Sequence, residues 1–420
     1  MEAQRQVKQE PKSQAQTEPA AKFKITGKTV IIFAFCGFLF VTGALTLGLN
    51  TKAVGSKIIS TVKASEGQDL EARLKSFTAG VDAGITNGFY GKEKYIDLVG
   101  LADRLQGKHY IDDVDPTNTV VKDNHGLLHF VTQQTDPTKI TDKMALLNEK
   151  LKAKDIALLH VQTPLKVKEG FTELPPTITD YSNQNTDKFL QGLEEGGVNY
   201  IDLREEAEKD QLDQLSMFFH TDHHWTFNTA FWAVDKVVEK LNNDYNLGLD
   251  PDHYYRDLSN YNQNFYENVF LGSQGRRVGR FYGGVDDFNM ITPKFDTQYT
   301  VQVNKSDTTE GTPRSGSFTD TIVNKSLINM EDTVYTNRYA AYFGADYREV
   351  IIKNEAVDND KKIIVVKDSF GLPFTAFLST MVSEVRMIDL RYFSPDNLES
   401  YIDEFDPDAV LFVYKALNTL

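Results

Sequence analysis

The sequence is poor in cysteine, tryptophan and positive charge. It holds one Cys and two Trp in 420 residues, and its 45 Lys and Arg stand against 60 Asp and Glu, giving a net charge of −15. A single cysteine excludes a disulfide framework within the chain and a zinc ribbon built on Cys ligands. The acidic balance argues against nucleic-acid binding, because a phosphate backbone is bound by clustered Lys and Arg. The 27 Phe and 19 Tyr, by contrast, provide ample material for a hydrophobic core.

Charge is missing altogether from one stretch near the N-terminus. Residues 29–51, TVIIFAFCGFLFVTGALTLGLNT, contain no Asp, Glu, Lys or Arg, and they include the single cysteine, Cys36. As a helix they would span roughly 34 Å at 1.5 Å per residue, which is enough for a hydrocarbon core of about 30 Å. We therefore predict a retained transmembrane helix. A buried core helix and a cleaved signal peptide are the alternatives.

The residues on either side of this segment have different compositions. Residues 1–28 are rich in Gln, Lys, Glu, Ala and Pro, with six Lys and Arg against three Glu, so we predict a disordered tail. Because this basic flank precedes the apolar segment, the positive-inside rule places the tail in the cytoplasm and the rest of the chain outside the cell. Residues 52–85 are predicted to be a stalk, and residues 86–420 one large domain.

From about Leu127 onwards, apolar runs typical of buried strands alternate with segments of helical periodicity. IALLHVQ, VNYIDL, KKIIVVK, VRMIDL and DAVLFVY are strand-like, and TFNTAFWAVDKVVEKLNNDY is a long amphipathic helix that Thr226 could cap. This alternation predicts an α/β domain with a mostly parallel sheet flanked by helices, and ligands at the carboxyl ends of its strands. Residues 255–345 break the alternation with Gly-rich turns and the strand-like FDTQYTVQV, so we predict a strand-rich insertion there.

Three of the eight histidines lie within five residues, in the segment HTDHHWT. They could be ordinary satisfied side chains. They could also bind Zn²⁺ through His220 and His224 with Asp222 or His223, although an i, i+4 pair needs a helix and the helical pattern begins only after the segment. In the third interpretation Asp222 holds one nitrogen of His224 protonated and leaves the other free to act as a base.

A candidate nucleophile lies further along the chain. KKIIVVKDSFGLPFTAFL predicts a strand, a tight turn and a helix, with Ser369 at the turn. Unpaired backbone N–H groups and the helix dipole favour a developing oxyanion at such a place. Alternatively, Ser369 or Asp368 only caps the helix. Together with Asp222 and His224, Ser369 would complete a Ser-His-Asp set for nucleophilic catalysis.

Two further segments are candidates for ligand contacts. GSQGRRVGRFYGG contains Arg276, Arg277 and Arg280, and guanidinium groups pair well with the carboxylates of an anionic polymer. The alternative is ion pairing with Asp286 and Asp287. NRYAAYFG could line a sugar-binding face through aromatic stacking, or its aromatic side chains could be packed in the interior.

The string Asp222-His223-His224-Trp225 matches the signature of the DHHW protein family. The sequence also resembles the SGNH-hydrolase-like O-acetyltransferases of alginate and cell-surface polysaccharide acetylation, over most of the chain after about residue 125. The segments that carry this resemblance are LPPTITDYSNQNTDKF, VNYIDLRE, LGSQGRRVGRFYGGVDDF, NRYAAYFG and VVKDSFG. It implies an SGNH-like fold with Ser369 as nucleophile, His224 as general base and Asp222 as the carboxylate that orients it. His223 and Trp225 would support the site.

The resemblance implies an O-acetyltransferase for a cell-surface polysaccharide, and the apolar segment 29–51 with its basic flank would anchor it in the membrane with the catalytic domain outside the cell. We expect no metal or other cofactor. A multi-pass membrane acyltransferase partner would supply the acyl groups. Asn337 and Arg338 are candidates for a second oxyanion donor, and Arg277, Arg280 and Tyr282 for substrate contacts. The residues leave open a carbohydrate esterase with the same triad, a non-catalytic polysaccharide-binding or assembly protein, a metallohydrolase, and an acyl transfer related to teichoic-acid D-alanylation.

Overall fold

A computed structural model describes residues 26–63, 65–306, 308, 310–416 and 420. The chain divides into two compact units, Met1–Lys92 and Glu93–Leu420. Residues 1–25 of the predicted tail lie outside the described residues. The predicted boundaries of stalk and domain, at residues 52, 85 and 86, remain predictions.

The first unit is helical where it is described. Its helices are α1 (Gly27–Leu49), α2 (Thr51–Lys63) and α3 (Leu70–Asn87). The Thr26 side chain caps α1 by accepting a hydrogen bond from the Thr29 amide at 3.3 Å. Within α1, the hydroxyls of Thr42 and Thr46 donate to backbone carbonyls one turn earlier, so these polar groups are satisfied inside the helix. Helix α1 is long and apolar enough to cross a membrane.

The rest of the described chain alternates helices and strands. The helices are α4 (Lys92–Leu105), α5 (Thr138–Lys152), α6 (Ser182–Glu195), α7 (Leu203–Lys209), α8 (Gln214–Met217), α9 (Phe227–Tyr245), α10 (Gly275–Val278), α11 (Arg280–Gly283), α12 (Phe318–Thr321), α13 (Gly371–Leu378) and α14 (Leu398–Phe405). The strands are β1 (Tyr110–Ile111), β2 (Val120–Lys122), β3 (Leu128–Phe130), β4 (Ala157–Gln162), β5 (Tyr200–Asp202), β6 (Tyr261–Phe270), β7 (Asp286–Pro293), β8 (Tyr299–Asn304), β9 (Arg314–Gly316), β10 (Glu349–Asn354), β11 (Lys362–Lys367), β12 (Glu384–Ile388) and β13 (Ala409–Tyr414). Thr226 caps α9 as predicted.

An eight-stranded sheet forms the centre of this unit, in the order β5-β4-β13-β11-β12-β10-β8-β9. The first five strands are parallel to one another, and β10, β8 and β9 add to them in antiparallel fashion. Every residue of β4 and β13 is buried, because helices cover both faces of the sheet. The predicted α/β class with a mostly parallel sheet is confirmed.

The strand-rich region between residues 255 and 345 has two parts. Strands β6 and β7 form a separate antiparallel ribbon. Strand β8, which lies in the predicted FDTQYTVQV segment, instead joins the main sheet beside β10, where the buried Val301 and Ile352 are paired. The predicted insertion is therefore partly an extension of the main sheet, because cross-strand burial of apolar side chains holds β8 there.

Successive residues of the central strands point into two different hydrophobic cores. Val365 and Leu411 belong to the core that contains α9 and α13, whereas Ile364 and Val410 belong to the core on the other face, with α5, α6 and α14. Strands β11 and β13 are parallel neighbours, so their carboxyl ends lie at the same edge of the sheet. The segments that follow these two strands therefore lie side by side.

Candidate active site

Ser369 lies in the short turn between β11 and α13. The carboxylate of Asp368 holds this turn, since it accepts hydrogen bonds from the amides of Phe370 at 2.9 Å and Lys415 at 3.0 Å. Burial raises the pKa of Asp368. Within the described part of the chain, the Ser369 amide donates to no acceptor. Asp368 thus holds the turn without capping α13, and the hydroxyl and amide of Ser369 are left for other contacts.

The segment HTDHHWT forms a loop that is closed at its base. Phe218 and Trp225 form an isolated antiparallel bridge, and the Thr226 amide donates to the carbonyl of Met217 at 2.9 Å. The loop precedes α9 and is not helical, so His220 and His224 do not share a helix face. The helical His-x-x-x-His geometry of the metal hypothesis is therefore absent from this loop.

The loop brings His224 and Asp222 to Ser369. Nε2 of His224 lies 2.6 Å from Oγ of Ser369, and Nδ1 of His224 is hydrogen-bonded to Oδ1 of Asp222. The other carboxylate oxygen of Asp222 accepts the Ser273 amide at 2.5 Å. With Nδ1 assigned as the protonated nitrogen, Nε2 is free to accept the serine proton. These three side chains have the connectivity of a Ser-His-Asp triad.

The electrostatic surroundings keep Asp222 ionised. Burial alone would raise the pKa of its carboxyl group, but His224, His223 and the Ser273 amide hold that pKa well below its usual range. The pKa of His223 lies well below its usual value, chiefly because of burial and then because of His224. Asp222 can therefore accept the Nδ1–H of His224 and stabilise a positive charge on that ring.

Aromatic rings fix the orientation of the His224 imidazole. Tyr339 stacks on it with ring centroids 3.7 Å apart and an interplanar angle of 8°. His223 lies at 3.7 Å on a tilted plane, and Phe370 at 5.0 Å. Tyr339 is buried, so it packs in the interior and does not present a sugar-binding face. The geometry places His224, and not the adjacent His223, on the serine.

Residues 271–275 pack directly against the histidine loop. A Cβ added to Gly272 would lie 2.2 Å from Cβ of Asp222, so only glycine fits there. The Ser273 hydroxyl is hydrogen-bonded to Nδ1 of His223 at 2.7 Å. Sequence reasoning did not single out Gly272 or Ser273. Their only signal was the glycine-flanked segment LGSQG within the DHHW resemblance.

A buried lysine, Lys166, holds the same loop through hydrogen bonds to its backbone carbonyls. Lys166 donates from Nζ to the carbonyls of Leu128 at 2.7 Å, His220 at 3.0 Å and Asp222 at 2.7 Å. Burial lowers the pKa of Lys166 to about 7, although the carboxylate of Asp286 and two others nearby raise it. Lys166 thus connects β3 with His220 and Asp222 in the first half of the histidine loop. No sequence motif marked it.

Replacing Lys166 with methionine is expected to lower the free energy of unfolding by about 3 kcal/mol, because three buried carbonyls lose their common donor. Urea denaturation of the purified protein measures this change. Lys154→Met is the matched control: Lys154 lies at the surface and pairs with Asp403, so its loss should cost less than about 0.5 kcal/mol. Equal stabilities for the two variants would contradict the supporting role.

The other predicted site residues have different surroundings. Trp225 is fully buried, with its ring 5.5 Å from that of Phe370. Arg338 is also buried, and it donates to the carbonyls of Asn329 and Asp332. The Asn337 side chain accepts a long hydrogen bond from Arg276. Among the described residues, neither Asn337 nor Arg338 is hydrogen-bonded to Ser369, so their role as a second oxyanion donor stays a prediction.

The arginine-rich segment has partners other than those expected. Arg277 pairs with Asp113 at 3.4 Å, and Arg280 pairs with Asp97 at 2.9 Å. Tyr282 is buried, and its hydroxyl donates to the Lys108 carbonyl. These are structural contacts, so the predicted substrate contacts of Arg277, Arg280 and Tyr282 gain no support from the geometry.

Asp286, suggested as an ion-pair partner of the arginines, instead accepts hydrogen bonds from His220 and Thr221 of the histidine loop. The carboxylate of Asp287 accepts the Asn268 amide. The expected pairing with Asp286 and Asp287 was therefore wrong, because Asp286 is used to hold the triad loop.

The histidine loop also groups three side chains of the types that bind metal ions. One ligand atom from each of Asp222, His223 and His224 lies within 4.8 Å of the others. In the observed arrangement, however, both ring nitrogens of His224 are already hydrogen-bonded, to Asp222 and Ser369. A metal at these three residues would have to replace at least one of those hydrogen bonds. The donor set therefore fits the acid–base arrangement better than a metal centre.

Comparison with known proteins supports the resemblance that the motifs indicated. Residues 127–263 match the family model described as ALGX, the SGNH hydrolase-like domain of acetyltransferase AlgX. A structure of Bacillus cereus PatB1 with a sulfonyl adduct is similar with a TM-score of 0.56 and 21% identity, over 71% of this chain and 93% of that one. A second PatB1 structure gives 0.54 and 23%, over 70% and 95%.

A DHHW family protein from Eubacterium siraeum is similar with a TM-score of 0.51 and 18% identity, over 73% of this chain and 93% of that one. The comparison with curated protein sequences found no significant match. The solved structures share the fold of this chain, and the family model covers the segment that contains the histidine loop. The described domain therefore has the SGNH-like fold, and its resemblance to the DHHW proteins and the SGNH hydrolase-like acetyltransferases is confirmed.

Proposed function

We propose that this protein is a membrane-anchored, extracytoplasmic serine O-acyltransferase that transfers acyl groups, most simply acetyl, to hydroxyls of a cell-surface polysaccharide. The observation that carries the proposal is the contact of 2.6 Å between Ser369 Oγ and His224 Nε2, with Nδ1 of the same ring on the buried Asp222. The match to a family model named for an acetyltransferase supports the choice of acyl transfer.

The first half-reaction would form an acyl-enzyme. His224 takes the hydroxyl proton as Ser369 Oγ attacks the carbonyl carbon of the acyl donor, and Asp222 stabilises the resulting imidazolium. The Ser369 amide, two residues before α13, has no acceptor among the described residues and is the donor available to the developing oxyanion. When the tetrahedral intermediate collapses, the bond to the leaving group breaks and that group takes the proton from His224.

The second half-reaction would run the same steps with a sugar hydroxyl. His224, neutral again, takes the proton of the acceptor hydroxyl as its oxygen attacks the acyl-enzyme carbonyl. Collapse of this intermediate releases Ser369, which recovers its proton from His224. The acyl group has then moved from donor to sugar, and the triad has returned to its starting state. Hydrolysis by the same triad, the esterase alternative, differs only in that water replaces the sugar.

Membrane attachment would come from α1, whose length and apolar composition suit a bilayer. The Lys and Arg residues that precede it in the sequence favour a cytoplasmic N-terminus and an extracellular catalytic domain. A donor outside the cell must be supplied across the membrane. We therefore propose a multi-pass membrane acyltransferase as the partner that delivers acyl groups to Ser369.

Covalent labelling tests the nucleophile directly. Treatment of the full-length protein, in detergent, with a serine-directed fluorophosphonate is expected to give one adduct, and peptide mass spectrometry should locate it on Ser369. Ser273→Ala, which removes the other hydroxyl of the site, should still label, whereas Ser369→Ala should not. An adduct on another residue of a folded protein would count against the mechanism.

Treatment with a chelator separates the triad from the metallohydrolase hypothesis. We expect labelling to be retained after chelation, whereas the metallohydrolase hypothesis requires that activity be lost.

A further inference from the structure

Lys415, the residue that follows β13, lies beside the turn that carries the nucleophile. Strands β11 and β13 are parallel, with Lys367 opposite Val413, so continuing that register by two residues places Lys415 opposite Ser369. Two contacts hold this alignment beyond the strands: Asp368 donates its amide to the Val413 carbonyl at 3.3 Å, and its carboxylate accepts the Lys415 amide at 3.0 Å. Lys415 is therefore a neighbour of the nucleophile in space, although 46 residues separate them in the chain.

Lys415 lines a cleft of about 460 Å³. This volume falls within the range of about 300–1,000 Å³ that is usual for sites that bind small molecules. The cleft is also lined by residues 131–133, which follow β3. Phe130, the last residue of β3, has its ring 5.9 Å from that of His223. The cleft is thus lined by Lys415, whose amide is bonded to Asp368 of the serine turn, and by the residues that follow Phe130, a neighbour of His223.

The two charged side chains of the cleft differ in whether they have a partner. Of the described residues that line it, only Lys415 and Asp136 are charged. Asp136 accepts hydrogen bonds from Thr138 and pairs with Lys188 at 3.0 Å, and these contacts lower its pKa to about 2. The ammonium group of Lys415 has no hydrogen bond or ion-pair partner among the described residues. The net unpaired charge of the cleft is therefore positive.

The Lys415 side chain is half-buried in the cleft. This burial lowers the pKa of Lys415, while the nearby carboxylates of Asp180 and Asp368 raise it. Both carboxylates are engaged elsewhere: Asp180 accepts the amides of Thr132 and Ser182, and Asp368 those described above. A bound anion would supply the counter-charge that the protein does not place in contact with Lys415.

The remaining lining suits a hydroxylated ligand. Thr135 offers its hydroxyl and Gln162 its amide oxygen, and Ile140 and Phe189 provide an apolar wall against which the C–H face of a sugar could lie. The NH₂ group of Gln162 and the amide of Asn185 are hydrogen-bonded within the protein and shape the cleft. A cleft that is mainly apolar, with a few polar groups and one charge, fixes the orientation of its ligand through that charge. An anionic group held by Lys415 would thereby place the hydroxyls of the same or the next sugar unit towards Ser369.

We propose that this cleft is the acceptor subsite, and that it selects a hydroxylated polymer unit carrying a carboxylate or a phosphate, which pairs with Lys415. This inference rests on the proposed acyl transfer at Ser369 and adds the class of acceptor to it. Within an acidic protein, Lys415, the one cation among the described residues that line the cleft, is what would distinguish an anionic glycan from a neutral one.

Binding to the full-length Ser369→Ala protein in detergent tests the subsite without requiring turnover. The probes are trimers of galacturonate, of glycerol phosphate and of glucose, measured by isothermal titration calorimetry. We expect at least one anionic trimer to bind about tenfold or more tightly than the glucose trimer, and Lys415→Gln to remove that difference. Binding of galacturonate alone identifies a carboxylate, and binding of glycerol phosphate alone a phosphate.

Three further variants make the test specific. Lys415→Arg keeps the charge and should retain binding, whereas the surface control Lys154→Gln makes the same charge change elsewhere and should leave binding unaltered. Thr135→Trp places a bulky side chain at the exposed rim of the cleft and should also abolish binding, which covers the case in which Lys415→Gln does not fold. Equal binding of charged and neutral trimers, or unchanged affinity in Lys415→Gln or Thr135→Trp, would overturn the proposal. So would the absence of anionic binding up to millimolar concentration.

The failure of this proposal can be told apart from failure of the enzymatic one. In the chain that retains Ser369, Lys415→Gln should still form the fluorophosphonate adduct while it loses transfer to the anionic acceptor. If no adduct forms on Ser369 in either protein, the acyl-transfer proposal fails, and the binding measurements still decide whether the cleft takes an anion. If the adduct forms and binding does not depend on Lys415, only the subsite is refuted.

Discussion

Replacement of Ser369 by alanine is expected to lower the rate of acyl transfer by about 10⁴-fold or more and to abolish the covalent intermediate. The alanine side chain cannot form the bond to the acyl carbon, whereas the Ser369 amide and the surrounding turn, held by Asp368, remain in place. Acylation of purified polymer by membranes carrying each protein measures the rate. Thermal unfolding of the two proteins shows whether the fold is kept.

Ser315→Ala is the matched control, because Ser315 is an exposed serine on β9 and should leave transfer unchanged. If the Ser369→Ala protein folded and still supported normal polymer modification, the enzymatic interpretation would be refuted. The non-catalytic binding or assembly protein would then be the better account of the fold. Turnover of a simple acetyl ester without any sugar acceptor would favour the esterase instead.

Replacement of Asp222 by asparagine is expected to reduce the rate by about 10³ to 10⁴-fold with little change in the position of the loop. The amide can no longer stabilise an imidazolium, and its NH₂ group favours the tautomer of His224 with the proton on Nε2, which cannot accept the proton of Ser369. The Ser273 amide can still donate to the asparagine oxygen. Single-turnover acylation of Ser369 measures the loss.

Asp113→Asn, which removes an exposed carboxylate paired with Arg277, should leave the acylation rate unchanged.

Comparison of Asp222→Asn with the unaltered protein should also show a dependence of stability on pH. The pKa of Asp222 in the folded chain lies well below the ordinary value, so its ionised form stabilises the fold above about pH 4, and this contribution is lost as the pH falls through the folded-state pKa. The stability gap between the two proteins should therefore be full at neutral pH and shrink in acid. A gap that widened in acid would contradict this account.

Much of the fold could be predicted because its signals are local. Strands β4, β11 and β13 are continuous apolar runs, and α9 has both an amphipathic period and a threonine cap. Which distant strands pair with one another was harder to predict from the sequence. The apolar pattern of β8 identified a strand, but only the packing of Val301 against β10 decided that it extends the main sheet.

The candidate site divides in the same way. Asp222, His224 and Ser369 could be selected because each has the chemistry of its role within a recognisable local motif. His224 was selected over the adjacent His223 on the resemblance, and no local pattern separates the two rings; it is the closure of the loop that turns His224 to the serine and His223 to Ser273. The partners expected for the arginines were wrong because Asp286 is used by the loop instead.

By itself, the sequence determined the apolar N-terminal segment, the alternation of strands and helices, and the residue types of a Ser-His-Asp set. Each of these depends on the identity and period of neighbouring residues. Only the tertiary structure decided that Lys166 supports the triad loop and that Lys415 is bonded to Asp368, next to Ser369. These contacts join segments far apart in the chain, and they follow from the parallel register of β11 with β13 and from burial between elements, which no local pattern encodes.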